Sequence, residues 1–254
     1  MLKSLTSLMV LLCCGGIAAG QITVAAAADL NAALPELAAE YQKQTGNSVK
    51  LAFGSSGSLF SQIQNGAPFD MFFSADEEYP RQLVEAGIAE RPSLYRYAVG
   101  KLVVWVPASS SLEVEQSGIK VLLDTSVKKI AIANPQHAPY GRAAETALRH
   151  FGIYEQAAPR LVLGENVSQA AQFVESGSAQ AGLIALSHAL SPSLKGKGRY
   201  WIVPADAHPP LNQAAVILAR SSRKQEAANF LAFLKTSQAI EVLRRYGFAI
   251  PEEH

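Results

Sequence analysis

Between Leu51 and Phe60 the chain reads L-A-F-G-S-S-G-S-L-F, three serines and two glycines set between an apolar alternation and an apolar helical run. Three chemistries use such a stretch. A serine nucleophile on a strand-to-helix elbow needs G-x-S-x-G, and Gly54, Ser55, Ser56 and Gly57 have the wrong spacing for it. A serine hydrolase on Ser55 or Ser56 would also need a histidine from His137, His150, His188 or His208, and only His137 lies in a loop that itself reads as a site. A nucleotide phosphate loop needs G-x-x-x-x-G-K-[ST], and no lysine follows Gly57. A small-anion site needs less: a glycine bend, the unpaired N–H groups of a helix's first turn with their partial positive charge, and rotatable hydroxyl donors. Taken alone, the same residues also fit an ordinary serine-capped helix.

Two more turns of this kind follow. Asn134-Pro135-Gln136-His137-Ala138-Pro139-Tyr140-Gly141 precedes one helical run, and Glu165-Asn166-Val167-Ser168-Gln169 opens another. With Ala28-Asp29 that makes four helix N-termini placed after strands, where open α/β sheets put their ligands. No H-E-x-x-H, C-x-x-C or calcium-loop spacing accompanies them, so a catalytic metal has no motif to stand on. Asp70 and Asp76 flank M-F-F-S-A and read as caps or braces rather than an acid/base pair. Arg142 reads either as a source of positive potential beside Tyr140 or as a solvated helix-face residue, and Trp105 and Trp201 as core or hinge packing.

The elements that must position these turns alternate. Strands are expected at 22–24, 49–53, 69–74, 102–106, 130–133, 160–163 and 181–186. Helices are expected from Asp29 to a stop at Gly46, from Ser58 to Gly66, and at 76–86, 141–151, 167–175 and 222–245. Alternation of strand and helix argues an α/β protein with parallel sheets covered by helices on both faces. The mature length favours two lobes, with crossings at Arg96–Lys101 and at Ala207–Asn212, where His208-Pro209-Pro210 forms a stiff connector. Lobe I is expected over 21–98 and again over 207–254, and lobe II over 99–206.

Composition narrows the function classes. The 254 residues are 49% hydrophobic and 17% charged, which suits a globular chain. Twenty-two basic against 21 acidic residues leave a formal charge of +1 with no basic block, so nucleic acid is a poor partner. The N-terminus carries Lys3, an apolar stretch from Leu5 to Ile17, and small residues Ala18-Ala19-Gly20 before Gln21. Residues 1–20 therefore read as a cleavable export signal, too short to span a bilayer. Cys13 and Cys14, the only cysteines, lie inside it, with bulky Leu11 and Leu12 ahead of them where a lipid-attachment site has small residues. A mature chain without thiols suits a periplasm.

Five segments then carry a resemblance over essentially the whole mature chain: A-A-A-A-D-L at Ala25–Leu30, F-G-S-S-G-S-L at Phe53–Leu59, G-A-P-F-D-M-F-F-S-A-D at Gly66–Asp76, N-P-Q-H-A-P-Y-G at Asn134–Gly141, and R-R-Y-G-F at Arg244–Phe248. In this order and spacing they resemble the periplasmic molybdate-binding proteins of ABC importers. The resemblance implies a two-lobed Venus-flytrap receptor, each lobe a mixed, mostly parallel sheet flanked by helices. It would act without catalysis or cofactor, taking molybdate or tungstate between the lobes through neutral donors and delivering it, as a monomer, to a permease with a cytoplasmic ATPase. Carried over by position, the site comprises Ala28, Asp29, Ser56, Tyr140 and Val167, the molybdenum being held only as its oxyanion.

Two positions depart from the family pattern. Many members have a tyrosine in the strand matching Gly182–Leu186, where this chain has Ala185, and Tyr140 is the natural replacement donor. Members commonly carry serine or asparagine where this chain has Asp29, and a carboxylate would repel a dianion by several kcal/mol at close range. Either Asp29 turns back to cap its own helix, the expected arrangement, or it accepts a proton from a protonated oxyanion such as hydrogen phosphate. Asp29 thus keeps a phosphate- or sulfate-type receptor in play.

Overall fold

The computed structural model describes residues 20–251. The segment expected to be an export signal, with Cys13 and Cys14, lies outside the described residues apart from Gly20. Ten strands form two sheets: β1 (Gln21–Ala27), β2 (Ser48–Gly54), β3 (Met71–Ser74), β4 (Tyr95–Gly100) and β10 (Leu211–Ile217) in the first, and β5 (Leu102–Pro107), β6 (Ile130–Ala133), β7 (Leu161–Gly164), β8 (Ala181–Ala185) and β9 (Gly198–Ile202) in the second.

The two sheets repeat one plan. In the first, ordered β2-β1-β3-β10-β4, β1 is parallel to β2 and β3, and β10 is antiparallel to β3 and β4. In the second, ordered β7-β6-β8-β5-β9, β6 is parallel to β7 and β8, and β5 is antiparallel to β8 and β9. The parallel trios read as apolar runs because helices cover both their faces, and β3, β6 and β8 are buried throughout. Separate cores form on the two sheets, one around Leu34, Phe73 and Phe230 and one around Val104, Ile132 and Leu183. The chain leaves the first sheet after Gly100 and returns to it at Leu211. It is a two-lobed α/β protein.

Several local expectations change. Arg96–Lys101 and Ala207–Asn212 are not mere connectors: β4 takes up most of the first, and β10 begins inside the second. β9, a half-buried edge strand, was not anticipated, although Tyr200-Trp201-Ile202 is an apolar run that could have marked it. The single helix expected over 222–245 is two, Lys224–Phe233 and Ser237–Arg245, because Thr236 turns extended and its hydroxyl accepts from the Ala239 N–H at 3.3 Å, starting a new helix. Two helices begin one half-turn earlier than expected, at Ser56 and Pro139. After β1 comes a short 3₁₀ turn, Ala28–Leu30, before the helix Ala33–Thr45, which stops at Gly46 with φ 76°.

Candidate functional site

Parallel pairing brings the carboxyl ends of β1 and β2 side by side, Ala27 opposite Gly54, and those of β6 and β7 likewise, Ala133 opposite Gly164. The four turns that follow these ends face each other across the interlobe cleft. They line a small cavity bounded by Ala28, Asp29, Ser55, Ser56, Tyr140 and Val167 among others. Ala28, Asp29, Ser56, Tyr140 and Val167, all five residues singled out in the sequence, are thus brought to one place, and all five are buried. Among the described residues no lysine or arginine lines the cavity.

Hydrogen bonding in the first turns decides which donors are left. Beyond Ser56, the Gly57 N–H goes to the His137 carbonyl at 2.8 Å and the Ser58 N–H to the Ser55 hydroxyl at 3.4 Å. Beyond Val167, the N–H groups of Ser168 and Gln169 both go to Oδ1 of Asn166, at 3.0 and 3.1 Å. Beyond Tyr140, the N–H groups of Gly141 and Arg142 go to the Ala138 carbonyl. Ser56 and Val167 are the first residues of their helices and Tyr140 the second, so their own N–H groups have no intrahelical acceptor. The Ser56 hydroxyl accepts from the Ala75 N–H at 2.9 Å, which fixes its oxygen and leaves its proton to donate.

Asp29 does not cap a helix. Its residue is inside the 3₁₀ turn, and no side-chain cap bond is made at that N-terminus. Instead the carboxylate joins a buried cluster beneath the cavity: Oδ2 accepts from Nε2 of Gln213, Tyr140 donates to the same carboxylate, and the Tyr97 hydroxyl donates to Oε1 of Gln213 at 2.8 Å. Oδ1 is buried with no hydrogen-bond partner. Burial raises its pKa from 3.8 to about 6, against the lowering pull of the Gln213 and Tyr140 hydrogen bonds. Burial, and then the neighbouring carboxylate, push Tyr97 and Tyr140 well above the usual phenol range, so both stay neutral. Tyr97 was missed in the sequence because β4 was largely taken for a connector, and Gln213 because it lies in β10, which was not anticipated as a strand. A lone glutamine ahead of A-A-V-I was the available signal.

Ala185, where many members of the resembling family have tyrosine, closes β8 and is fully buried. Next to it Ser187 donates to the Asp29 carbonyl at 2.7 Å, tying the lobes together. Other bonds cross the same gap: Asn31 to Ser168 at 2.8 Å, Ser58 to Glu165 at 3.1 Å, and Arg142 to Asp76 at 2.5 Å. Arg142 is thus neither a free source of potential nor a solvated bystander. Burial raises the Asp76 pKa, opposed by the Tyr79 N–H and by Arg142. Asp70 braces as expected, accepting from the Thr23 N–H at 2.7 Å and from Ser221 at 2.6 Å. Trp105 is core.

Ser55 does meet a histidine. Its oxygen lies 2.9 Å from Nδ1 of His137, whose Nε2 is 3.7 Å from a Glu165 carboxylate oxygen. That hydroxyl is also the N-cap of its helix and bonds to Ser58 at 2.8 Å. Among the described residues no group of His, Cys, Asp or Glu could hold a metal ion, and no helix is long and apolar enough to cross a membrane.

The sequence profile of the bacterial extracellular solute-binding proteins matches residues 22–249. The chain is 40% identical over 231 residues to the molybdate-binding protein ModA of Rhodobacter capsulatus, covering 91% of this chain and 89% of that one. It is 38% identical over 251 residues to ModA of Azotobacter vinelandii, with coverage of 97% and 98%. The solved periplasmic molybdate-binding protein of Azotobacter vinelandii superposes with a TM-score of 0.86 at 37% identity, covering 91% of this chain and all of that one. With this fold, this cleft and these relatives, the chain belongs to the family of bacterial extracellular solute-binding proteins, in the group that contains the molybdate-binding ModA proteins.

Proposed function

We propose that this protein is the oxyanion receptor of an ABC importer. It captures molybdate, and tungstate with it, between its lobes in the periplasm and hands it as a monomer to a membrane permease driven by a cytoplasmic ATPase. The observation that carries this reading is the set of unspent neutral donors, the N–H groups of Ser56, Tyr140 and Val167 with the Ser56 hydroxyl, converging from opposite lobes on one small cavity. The amides of Ala28 and Asp29 complete the set at the start of the 3₁₀ turn. Donors without formal charge hold a tetrahedral dianion by hydrogen bonds and helix-terminal dipoles. The molybdate-binding names of the relatives favour molybdate as the load. Sulfate offers the same acceptor geometry, so selection against it rests on cavity size.

The protein works without catalysis and without a cofactor in this reading. The Ser55–His137–Glu165 contact is the feature favouring a hydrolase, but Ser55 is held as a cap and His137 stands across the cleft from it, so the contact serves closure. A receptor for hydrogen phosphate is the second reading, and the unpartnered Oδ1 of Asp29 favours it, since it would accept the ligand's proton. Thermal melting of the mature protein separates these. Molybdate and tungstate should each raise the transition temperature and sulfate should not. A rise with phosphate alone would replace this reading with the second.

A further inference from the structure

Among the described residues Asp29 is the one carboxylate on the cavity wall. Its surroundings supply no cation. Oδ2 faces Gln213 from β10 and Tyr140 from the helix Pro139–His150, Tyr97 of β4 stands behind Gln213, and Ser187 takes only the backbone carbonyl. Arg142 is spent on Asp76, and His137 on Ser55 and Glu165. His188, next to Ser187, is buried with both ring nitrogens unpartnered, and burial lowers its pKa to about 4, so it is neutral near pH 7. A dianion and an ionised Asp29 would therefore share a desolvated space with nothing between them. Of the two carboxylate oxygens only Oδ1 has no partner, and a buried acceptor left empty beside an anion site becomes useful as soon as it carries a hydrogen.

We propose that Asp29 takes up one proton from solvent as the oxyanion enters, so that the bound ligand meets a neutral carboxylic acid that donates a hydrogen bond from Oδ1. This deepens the oxyanion-receptor reading and rests on it. The balance is simple: carboxylate, proton and dianion give the acid–dianion complex, and the only bond formed is O–H. Binding is then linked to pH. Above the pKa of the free protein, about 6 for Asp29, affinity falls about tenfold per pH unit. Below it, affinity is flat. The linkage also selects among ligands, since an acid donor suits a fully deprotonated anion, whereas hydrogen phosphate would need the ionised form.

The test is calorimetric titration of the mature protein with sodium molybdate from about pH 5.5 to about pH 8.5, repeated at one pH in buffers of different ionisation enthalpy. The expected result is a dissociation constant rising about tenfold per pH unit above pH 6, with uptake of one proton per molybdate bound. In Asp29→Asn, whose amide can accept from Gln213 and donate from the Oδ1 position, both effects should vanish while molybdate still binds. In His137→Gln both should persist. Molybdate binding that is independent of pH and releases or takes up no proton would overturn the inference and leave the receptor reading standing. A pH dependence that survives Asp29→Asn, or moves with His137, would also overturn it. No molybdate binding at any pH, or binding of phosphate alone, would overturn the receptor reading itself. Should Asp29→Asn fail to fold, the proton count on the unmodified protein and on His137→Gln still decides.

Discussion

The Ser55 hydroxyl oxygen and Nδ1 of His137 lie 2.9 Å apart, one from each lobe, at the rim of the anion cavity. With Ser58–Glu165, Asn31–Ser168 and Arg142–Asp76 they form a polar seam holding the lobes together. The seam's members are partly exposed, so each bond is worth little by itself, about 1 kcal/mol or less. His137→Ala should therefore weaken molybdate binding about two- to fivefold, through faster release rather than slower capture. Stopped-flow release kinetics check this, and an unchanged release rate would remove the seam from closure. Ser55 is held as a helix cap, and the receptor reading predicts that fluorophosphonate reagents leave it unlabelled.

The Ser56 hydroxyl accepts from the Ala75 N–H, which in the proposed reading leaves its proton for the ligand. Ser56→Ala removes a donor to a charged group, and molybdate affinity should fall by about 1–3 kcal/mol. Titration of the variant measures it. Affinity equal to the unmodified protein's would place Ser56 outside the ligand's contacts.

Gly57 lies so close to the other lobe that a β-carbon there would sit 2.6 Å from the His137 carbonyl oxygen, and it would also sit 2.7 Å from the Tyr79 hydroxyl of its own lobe. Gly57→Ala should leave each lobe folded but hold the cleft ajar, costing about 1–3 kcal/mol of binding. Small-angle scattering with molybdate present should then show a more extended particle than the unmodified protein. A normal closed profile would contradict the close approach.

Asp29 also bears on the stability of the ligand-free protein. Its pKa is about 6 in the folded chain against 3.8 as the ordinary value, so the folded state holds a proton that the unfolded chain releases. The associated stability is present below about pH 4 and lost as pH rises through about 6, a difference of about 2–3 kcal/mol. Asp29→Asn should melt higher than the unmodified protein at pH 8, the gap closing as pH falls below 4. A gap that does not vary with pH would contradict the buried carboxylate.

Much of this site was legible in the sequence because it is built from backbone. A helix N-terminus after a strand is written in local residues, so F-G-S-S-G-S-L, N-P-Q-H-A-P-Y-G and E-N-V-S-Q could be placed without knowing their neighbours. What stayed hidden depends on tertiary contact. Asp is a good N-cap in isolation, and only the arrival of Gln213 and Tyr140, 184 and 111 residues further along, draws the Asp29 side chain down into a buried cluster instead. β4 and β10 escaped because antiparallel strands joining a lobe from a distance carry no strand–helix alternation to announce them. The lone polar residues they bury, Tyr97 and Gln213, are those that support Asp29.

A neutral-donor cavity that selects molybdate between the lobes should bind it in the presence of other tetrahedral anions. Competitive calorimetry tests it most directly: the mature protein is saturated with sulfate or with phosphate and titrated with molybdate, then with tungstate. The account predicts molybdate and tungstate heats unchanged by either competitor, with equal stoichiometry of one anion per chain. A molybdate titration silent in heat, or abolished by phosphate, would contradict it.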